Sequence, residues 1–179
     1  TRVADPMVDL RMLAGRTVLL TNLTGLIAGF AMFSSFVLVP NLVETPRGLP
    51  PSVARLVDYG FGSTTTEAGL FLLPGAIAGF LSGPAAGLLA RRYGAKWPLA
   101  LGMALAAVGI ASLAAFHDSP AQIAAGMTVL GGGLPFTFAA MAMLIVSAVR
   151  ATETGVATGV NTVMRTIGGV IGGQVGAAI

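Results

Sequence analysis

The stretch TVLLTNLTGLIAGFAMFSSFVLVPNLV, residues 17–43, contains no Asp, Glu, Lys or Arg. A helix that crosses the hydrocarbon core of a bilayer needs roughly 20 mostly apolar residues in succession. Backbone polar groups cannot be left unpaired in lipid, so such a run is typical of a helix rather than a strand or a loop. It is also too long for a cleavable signal peptide. We therefore expect a membrane-spanning helix at about residues 17–42.

Four further stretches of the chain are almost free of charged residues in the same way. They predict helices at about residues 67–90, 97–116, 121–149 and 154–179. Thr64 and Glu67 have the spacing of a capping box at the start of the second predicted helix. The expected fold is an all-α, multi-pass transmembrane helical bundle, with a cytoplasmic lead-in over residues 1–16 and a transmembrane region over residues 17–179.

The composition excludes several classes of protein. Of 179 residues, 55% are hydrophobic and only 9% are charged, and the mean hydropathy is +0.86. Soluble domains carry roughly 25% charged residues, so a soluble domain, a disordered chain and a nucleic-acid-binding domain are all excluded. The pI of about 10.2 arises from only ten Lys and Arg against seven Asp and Glu. Without cysteine, and without a zinc or phosphate-binding motif, the chain offers no basis for an enzyme and no cofactor is expected.

The placement of the cations predicts how the chain lies in the membrane. Seven Lys and Arg residues fall on one side of the predicted helices, namely Arg2, Arg11, Arg16, Arg91, Arg92, Lys96 and Arg150. Only Arg47 and Arg55 fall on the other side, in the loop at about residues 44–66. Loops rich in Lys and Arg stay in the cytoplasm. We therefore expect a multi-pass protein of the plasma membrane, surrounded by lipid, with the N-terminus of this segment in the cytoplasm.

Glycine is abundant within the predicted spans. It recurs at every fourth position of the second helix, at Gly75, Gly79, Gly83 and Gly87. The fifth helix repeats this spacing in the pairs Gly155 and Gly159, Gly168 and Gly172, Gly169 and Gly173, and Gly172 and Gly176. Small residues at this spacing allow helices to approach closely in lipid, so these faces are expected to pack. Pro74, Pro84 and the stretch 131–135 predict bends of the kind that rocking or gating proteins use.

Arg165 lies about eleven residues into the fifth predicted helix, near the middle of the membrane. Thr158 and Asn161 share its helix face, and Asn22 adds a polar group from the first helix. A charge at this depth requires a polar partner or a wet cavity. One interpretation is that Arg165 lines a cavity and pairs with an anionic group of the substrate or with a coupling carboxylate elsewhere in the protein. The alternative is a structural role, in which Arg165 bonds to helix ends or extends its side chain toward the cytoplasm. The candidate substrate residues are Arg165, Asn161, Thr158 and Asn22.

The stretch GLLARRYGAKWPL, residues 87–99, resembles the signature loop of the major facilitator superfamily, approximately G-x-L-A-D-R-x-G-R-K-x-x-L. The matching residues include Gly87, Arg92, Gly94 and Lys96. Arg91 stands where the family has an acidic residue. The resemblance implies a cytoplasmic loop that latches helices during alternating access, and the loss of the acid puts that charge relay in question here.

Four other blocks extend the resemblance over nearly the whole chain. Residues 67–75, 131–136, 153–159 and 165–169 are similar to the C-terminal half of fourteen-helix multidrug–proton antiporters. The resemblance implies secondary active transport, with a hydrophobic or cationic drug as the exported small-molecule substrate and the proton as coupling ion. Such transporters have twelve or fourteen helices in two halves. We therefore expect a truncated product or fragment that lacks its N-terminal half and does not transport alone.

Two other functions remain compatible with the sequence. The same fold takes up or exports small organic anions and other metabolites, and Arg165 near mid-membrane suits an anion. Alternatively, the chain is a membrane protein without transport activity, in which the glycine faces serve only assembly.

Overall fold

The computed structural model describes residues 10–46 and 60–178, and every regular element in these two ranges is a helix. The elements are α1 (Leu10–Leu13), α2 (Arg16–Glu44), α3 (Thr65–Tyr93), α4 (Lys96–Ala115), α5 (Pro120–Ala148), a 3₁₀ turn (Ala151–Glu153) and α6 (Thr154–Ala178). The expected all-α transmembrane bundle is confirmed. Residues 1–9 of the predicted lead-in, and Arg47 and Arg55 of the predicted outer loop, lie outside the described residues.

Helices α2 to α5 are each long and apolar enough to cross a membrane. Helix α6 is of similar length but is not apolar enough to meet the same measure, since it combines Arg165 with polar residues and many glycines. That α6 crosses the membrane stays a prediction.

The ends of two helices are fixed by reciprocal side-chain hydrogen bonds. The amide of Glu67 donates to Thr64 Oγ1 at 3.4 Å, and Glu67 Oε2 accepts from the amide of Thr64 at 2.8 Å. Ser119 and Gln122 form a second box of this kind, which starts α5. Each box satisfies amides that have no partner inside the helix, so both helices start at defined residues.

Helices α2 and α6 form a tightly packed parallel pair, because glycines bring their backbones together. A Cβ at Gly29 would overlap the carbonyl oxygen of Arg165, and one at Gly168 would overlap that of Leu26. Farther along, Ser34 Oγ donates to the carbonyl oxygen of Gly172 at 2.9 Å. The pair is thus held by close backbone packing and by a hydrogen bond between helices, both of which drive helix association in lipid.

Helix α5 is the centre of the remaining bundle and packs between α3 and α4. A Cβ at Gly75 of α3 would lie 2.7 Å from the carbonyl oxygen of Met127, and one at Gly109 of α4 would lie 2.6 Å from the amide of Leu130. The core follows α5, whose largest fully buried side chains are Ile123, Leu130, Met141 and Ile145. Helix α2 also contacts α5 and α3 and so joins the two groups of helices.

The predicted glycine faces are only partly used. Gly75, Gly79, Gly168, Gly169, Gly172 and Gly176 pack against other helices as expected. Gly83, Gly155, Gly159 and Gly173 have no neighbour within 4 Å that a Cβ would meet. Their spacing is the same, so position in the bundle rather than spacing decides which of them pack. Helices α3 and α5 continue without interruption through Pro74, Pro84 and Pro135.

Candidate substrate cavity

A cavity of about 430 Å³ lies between α2, α3 and α5. Its walls are aliphatic, aromatic and thioether side chains together with glycines. The lining residues are Met32, Ser35, Phe36, Leu72, Gly75, Ala76, Gly79, Met127, Leu130, Gly131, Leu134, Pro135 and Phe138. The volume lies within the range of cavities that hold small molecules in proteins.

The wall between α3 and α5 is shaped by glycine contacts. A Cβ at Gly79 would lie 2.9 Å from the carbonyl oxygen of Gly131, and Gly131 itself lies against the backbone of Gly75. The two helices therefore touch along this line, and the larger side chains of Phe36 and Phe138 border the space beside it.

The cavity presents little polar chemistry. Among the described residues that line it, Ser35 alone carries a polar side-chain group, and that hydroxyl donates to the carbonyl oxygen of Ala31 at 2.8 Å. A ligand here would be held by dispersion forces and aromatic contacts. Met32 and Met127 add flexible, polarisable side chains, which adapt to ligands of different shape.

Arg165 does not line this cavity but contacts one of its lining residues, Phe138. Its guanidinium carbon lies 4.8 Å from the centroid of the Phe138 ring, at cation–π distance. Arg165 is half-buried, and within the described ranges its guanidinium has no hydrogen bond and no ion pair. The arrangement places a cation close to the apolar cavity without making it part of the wall.

Asn22 and Asn161 meet in the buried interface between α2 and α6. Asn161 Nδ2 donates to Asn22 Oδ1 at 3.1 Å and to the carbonyl oxygen of Thr21 at 3.2 Å. Gly25 makes room for this pair, since a Cβ there would lie 2.9 Å from Asn161 Nδ2. The amide of Asn161 thus bonds both the side chain of Asn22 and the backbone of Thr21, and these bonds join the helices.

Thr158 lies one turn before Asn161 and hydrogen-bonds its own helix. Its hydroxyl contacts the carbonyl oxygens of Thr154 at 2.8 Å and Gly155 at 3.1 Å. Of the four predicted substrate residues, the structure therefore brings Asn22 and Asn161 together and places Arg165 against Phe138. None of the four is among the residues that line the cavity.

The signature-loop residues lie at the junction of α3 and α4. Arg91 and Arg92 form the exposed last turn of α3, and Lys96 is the first residue of α4. Gly94 has φ of +84°, a conformation that favours glycine, and its amide donates to the carbonyl oxygen of Ala90 at 2.8 Å. At Gly87, two turns earlier, an added Cβ would lie 3.9 Å from Met143 Cε, an ordinary van der Waals distance.

The sequence pattern that defines the Major Facilitator Superfamily matches residues 2–173. The chain belongs to the major facilitator superfamily. Members of this superfamily are transporters rather than enzymes, and with its several apolar helices the chain is a multi-pass membrane protein.

Two groups of curated relatives agree with this membership. The multidrug resistance protein Stp of Mycobacterium tuberculosis is 27% identical over 157 residues, which cover 87% of this chain and 27% of Stp. The methyl viologen resistance protein SmvA of Salmonella typhimurium is 30% identical over 154 residues, which cover 85% of this chain and 28% of SmvA. The chain thus spans little more than a quarter of the length of these relatives.

The sequence of this major facilitator chain does not predict the cavity. Met32, Phe36 and Phe138 are apolar residues in apolar helices, so their types do not separate a cavity wall from a surface that faces lipid. The only sequence signal was the Gly75 and Gly79 face, which does form part of the wall.

Proposed function

We propose that this chain is part of a secondary active transporter that exports hydrophobic or cationic drugs, coupled to protons. The observation that carries the proposal is the apolar cavity between α2, α3 and α5, with Met32, Met127 and Phe138 in its walls. Walls of this kind accept molecules of varied shape and make few directional demands. The names of Stp and SmvA, which refer to multidrug and methyl viologen resistance, support the same class of substrate.

In this proposal the substrate binds near mid-membrane, between this chain and the N-terminal half of the transporter. Transporters of this kind bind substrates where two repeats meet. This chain contributes the apolar cavity and, behind it, the Arg165 cation. The N-terminal half supplies the opposing wall, which fits with relatives several times longer than the chain.

Proton coupling in this proposal depends on groups elsewhere in the protein. In the described segments no Asp or Glu lies within the helices away from their ends: Glu44 ends α2, and Glu67 lies in the first turn of α3. The carboxylates that carry protons are therefore assigned to the N-terminal half. In this proposal the end of the bundle that carries Arg91, Arg92 and Lys96 faces the cytoplasm, as the positive-inside rule predicts. The membrane is the plasma membrane.

The test is efflux of a fluorescent cationic dye from cells that express the intact gene product. Phe138→Ala removes an aromatic wall of the cavity and should lower the efflux rate about 5- to 30-fold, as expected for the loss of about 1–2 kcal/mol of contact energy. Phe80→Ala is the matched control, because Phe80 lies on α3 outside the cavity and is 82% exposed. The 179-residue chain alone should give no efflux.

Outcomes are interpreted only at equal membrane abundance of the variants. Equal loss in both variants would contradict the cavity assignment, and so would unchanged efflux in Phe138→Ala. Absence of dye efflux from wild type would contradict the multidrug proposal. Absence of flux for every compound tried would favour a protein that serves only in assembly.

A small organic anion is the second candidate substrate, and Arg165 is the observation that favours it. A guanidinium at this depth, held only over a phenyl ring in the described segments, can attract an anionic group. Arg165→Ala in the intact gene product separates the roles. Lost flux of an organic anion at normal abundance supports a substrate contact, whereas lost abundance supports a structural role.

A further inference from the structure

Apart from Arg165, the charged residues of the described chain lie at the two ends of the bundle. The end of α2 lies at the start of α3, since the amides of Phe61 and Ser63 donate to the carbonyl oxygen of Val43. Helices α3 to α6 then follow one another through short connections. The starts of α2, α4 and α6 therefore share one end of the bundle with the last turns of α3 and α5.

That shared end is strongly basic. Its charged side chains are Arg16, Arg91, Arg92, Lys96, Arg150 and Glu153, and Glu153 is already paired with Arg150. The opposite end has the acidic residues Glu44, Glu67 and Asp118 and, in the described segments, no Lys or Arg. Residues 1–15 carry two Arg and two Asp, so they add no net charge to the balance.

The turn between α3 and α4 concentrates this charge at the membrane surface. Arg91, Arg92 and Lys96 are exposed within six residues, and no ion pair involves them in the described part of the chain. Both helices are apolar enough to cross a membrane and join only through Gly94 and Ala95. Their junction therefore lies where hydrocarbon gives way to lipid headgroups.

Two aromatic rings flank the cations in this turn. Tyr93 is 55% exposed and Trp97 is 66% exposed. The guanidinium carbon of Arg92 lies 5.3 Å from the centroid of the Tyr93 ring. Exposed Tyr and Trp rings are enriched at the level of lipid headgroups, so the turn combines positive charge with groups that prefer the same layer.

We propose that the turn formed by residues 91–97 is a binding surface for anionic phospholipids of the leaflet at that end. The phosphate groups pair with Arg91, Arg92 and Lys96, while Tyr93 and Trp97 pack among the headgroups and upper acyl chains. Charge complementarity supports lipid as the occupant, because the surface has three cations and no acid and its place is in the headgroup layer. This inference is independent of the compound transported.

The test is native mass spectrometry of the intact gene product in mild detergent. Phosphatidylglycerol and phosphatidylcholine with identical acyl chains are titrated separately, and the apparent Kd for the first bound lipids is measured. Wild type should bind phosphatidylglycerol more tightly, and rising NaCl should reduce the difference. The variant Arg91→Gln/Arg92→Gln/Lys96→Gln should weaken phosphatidylglycerol binding by about fivefold per cation, and so by about a hundredfold in total.

The controls separate charge, fold and ligand source. Arg91→Lys/Arg92→Lys keeps the charge and should bind phosphatidylglycerol like wild type, while Arg91→Asp reverses one charge and should weaken binding more than Arg91→Gln. Circular dichroism shows whether each variant keeps its helices. Equal affinity of wild type for the two lipids would overturn the proposal, as would wild-type affinity in the triple Gln variant. Displacement of the lipid by millimolar inorganic phosphate would instead indicate a site for soluble anions and overturn the lipid assignment.

Discussion

Gly29 lies where the backbones of α2 and α6 meet, and a side chain there has no space. A Cβ would overlap the carbonyl oxygen of Arg165. We predict that Gly29→Ala lowers the free energy of unfolding by about 1–3 kcal/mol, as expected for overpacking. The measurement is the melting temperature of the intact gene product in detergent.

The matched control for this substitution lies on the partner helix. Gly159 of α6 has no neighbour within 4 Å that a Cβ would meet. Gly159→Ala should leave the melting temperature unchanged or raise it slightly, because alanine is the better helix former. Equal effects of the two substitutions would show that the close contact at Gly29 does not limit stability.

Asn22 and Asn161 are predicted to stabilise the same helix pair as one unit. Asn161→Leu removes the hydrogen bonds to Asn22 and to Thr21, and each such bond between membrane helices contributes on the order of 1 kcal/mol. Asn22→Leu should destabilise as well, since it leaves a buried amide with one partner fewer. In a double-mutant cycle, the double variant should lose less free energy of unfolding than the sum of the losses in the two single variants. Strict additivity would contradict their direct coupling.

At the scale of single residues, the polar part of the site is what the sequence predicts best. Arg165, Asn22 and Asn161 are conspicuous because polar groups are rare in apolar runs, and each makes a specific contact between helices. Their detailed roles do not follow from type alone. The two amides are hydrogen-bonded to each other and do not line the cavity. Arg165 lies over a ring of α5, a helix that nothing in the sequence pairs with it.

At the scale of elements, the positions of charged residues predict where the helices lie. Connections exposed to water need polar residues, whereas segments that span a bilayer exclude charged ones. Thr64 and Glu67 start α3, as their capping-box spacing predicts. Ser119 and Gln122 have the same spacing and start α5, so that boundary was readable too. The sequence does not predict which glycines pack, because Gly155 and Gly168 occur with the same spacing and differ only in their neighbours in the structure.

The connection between α5 and α6 carries a pH-dependent contact. The pKa of Glu153 lies below its ordinary value, mainly because its carboxylate accepts a side-chain hydrogen bond from Arg150. A lowered pKa in the folded state means that the carboxylate stabilises the fold at neutral pH. This contribution is lost as the pH falls below the ordinary glutamate range and through the folded pKa.

We therefore predict that wild type has a higher melting temperature than Glu153→Gln at neutral pH, and that the two melting temperatures converge in acid. Arg150→Gln should lose the same pH-dependent part, because it removes the donor that lowers the pKa. Melting temperatures are measured for all three proteins across the acidic range at constant ionic strength. A gap between wild type and Glu153→Gln that is equally wide in acid and at neutral pH would contradict the assignment.

At the scale of the whole molecule, the bundle consists of two tightly packed groups that are joined mainly through α2 and also by the contact of Arg165 with Phe138. The pair of α2 and α6 holds the polar contacts, while α3, α4 and α5 form the apolar core, and the cavity lies where α2 meets α3 and α5. The helices, their order and their family were predictable from sequence. The cavity was not, because it depends on which helix faces meet, and apolar residues carry no signal of that choice.

Cysteine protection tests most directly whether this cavity is the substrate surface that the chain contributes. The chain has no cysteine, so single positions can be labelled in the intact gene product once cysteines elsewhere in it are replaced. Ala76 lines the cavity, whereas the adjacent Ile77 does not and is 56% exposed. The fluorescent dye used for efflux should slow maleimide labelling of Ala76→Cys and leave labelling of Ile77→Cys unchanged. Equal labelling of Ala76→Cys with and without the dye, in a protein that exports it, would contradict the account.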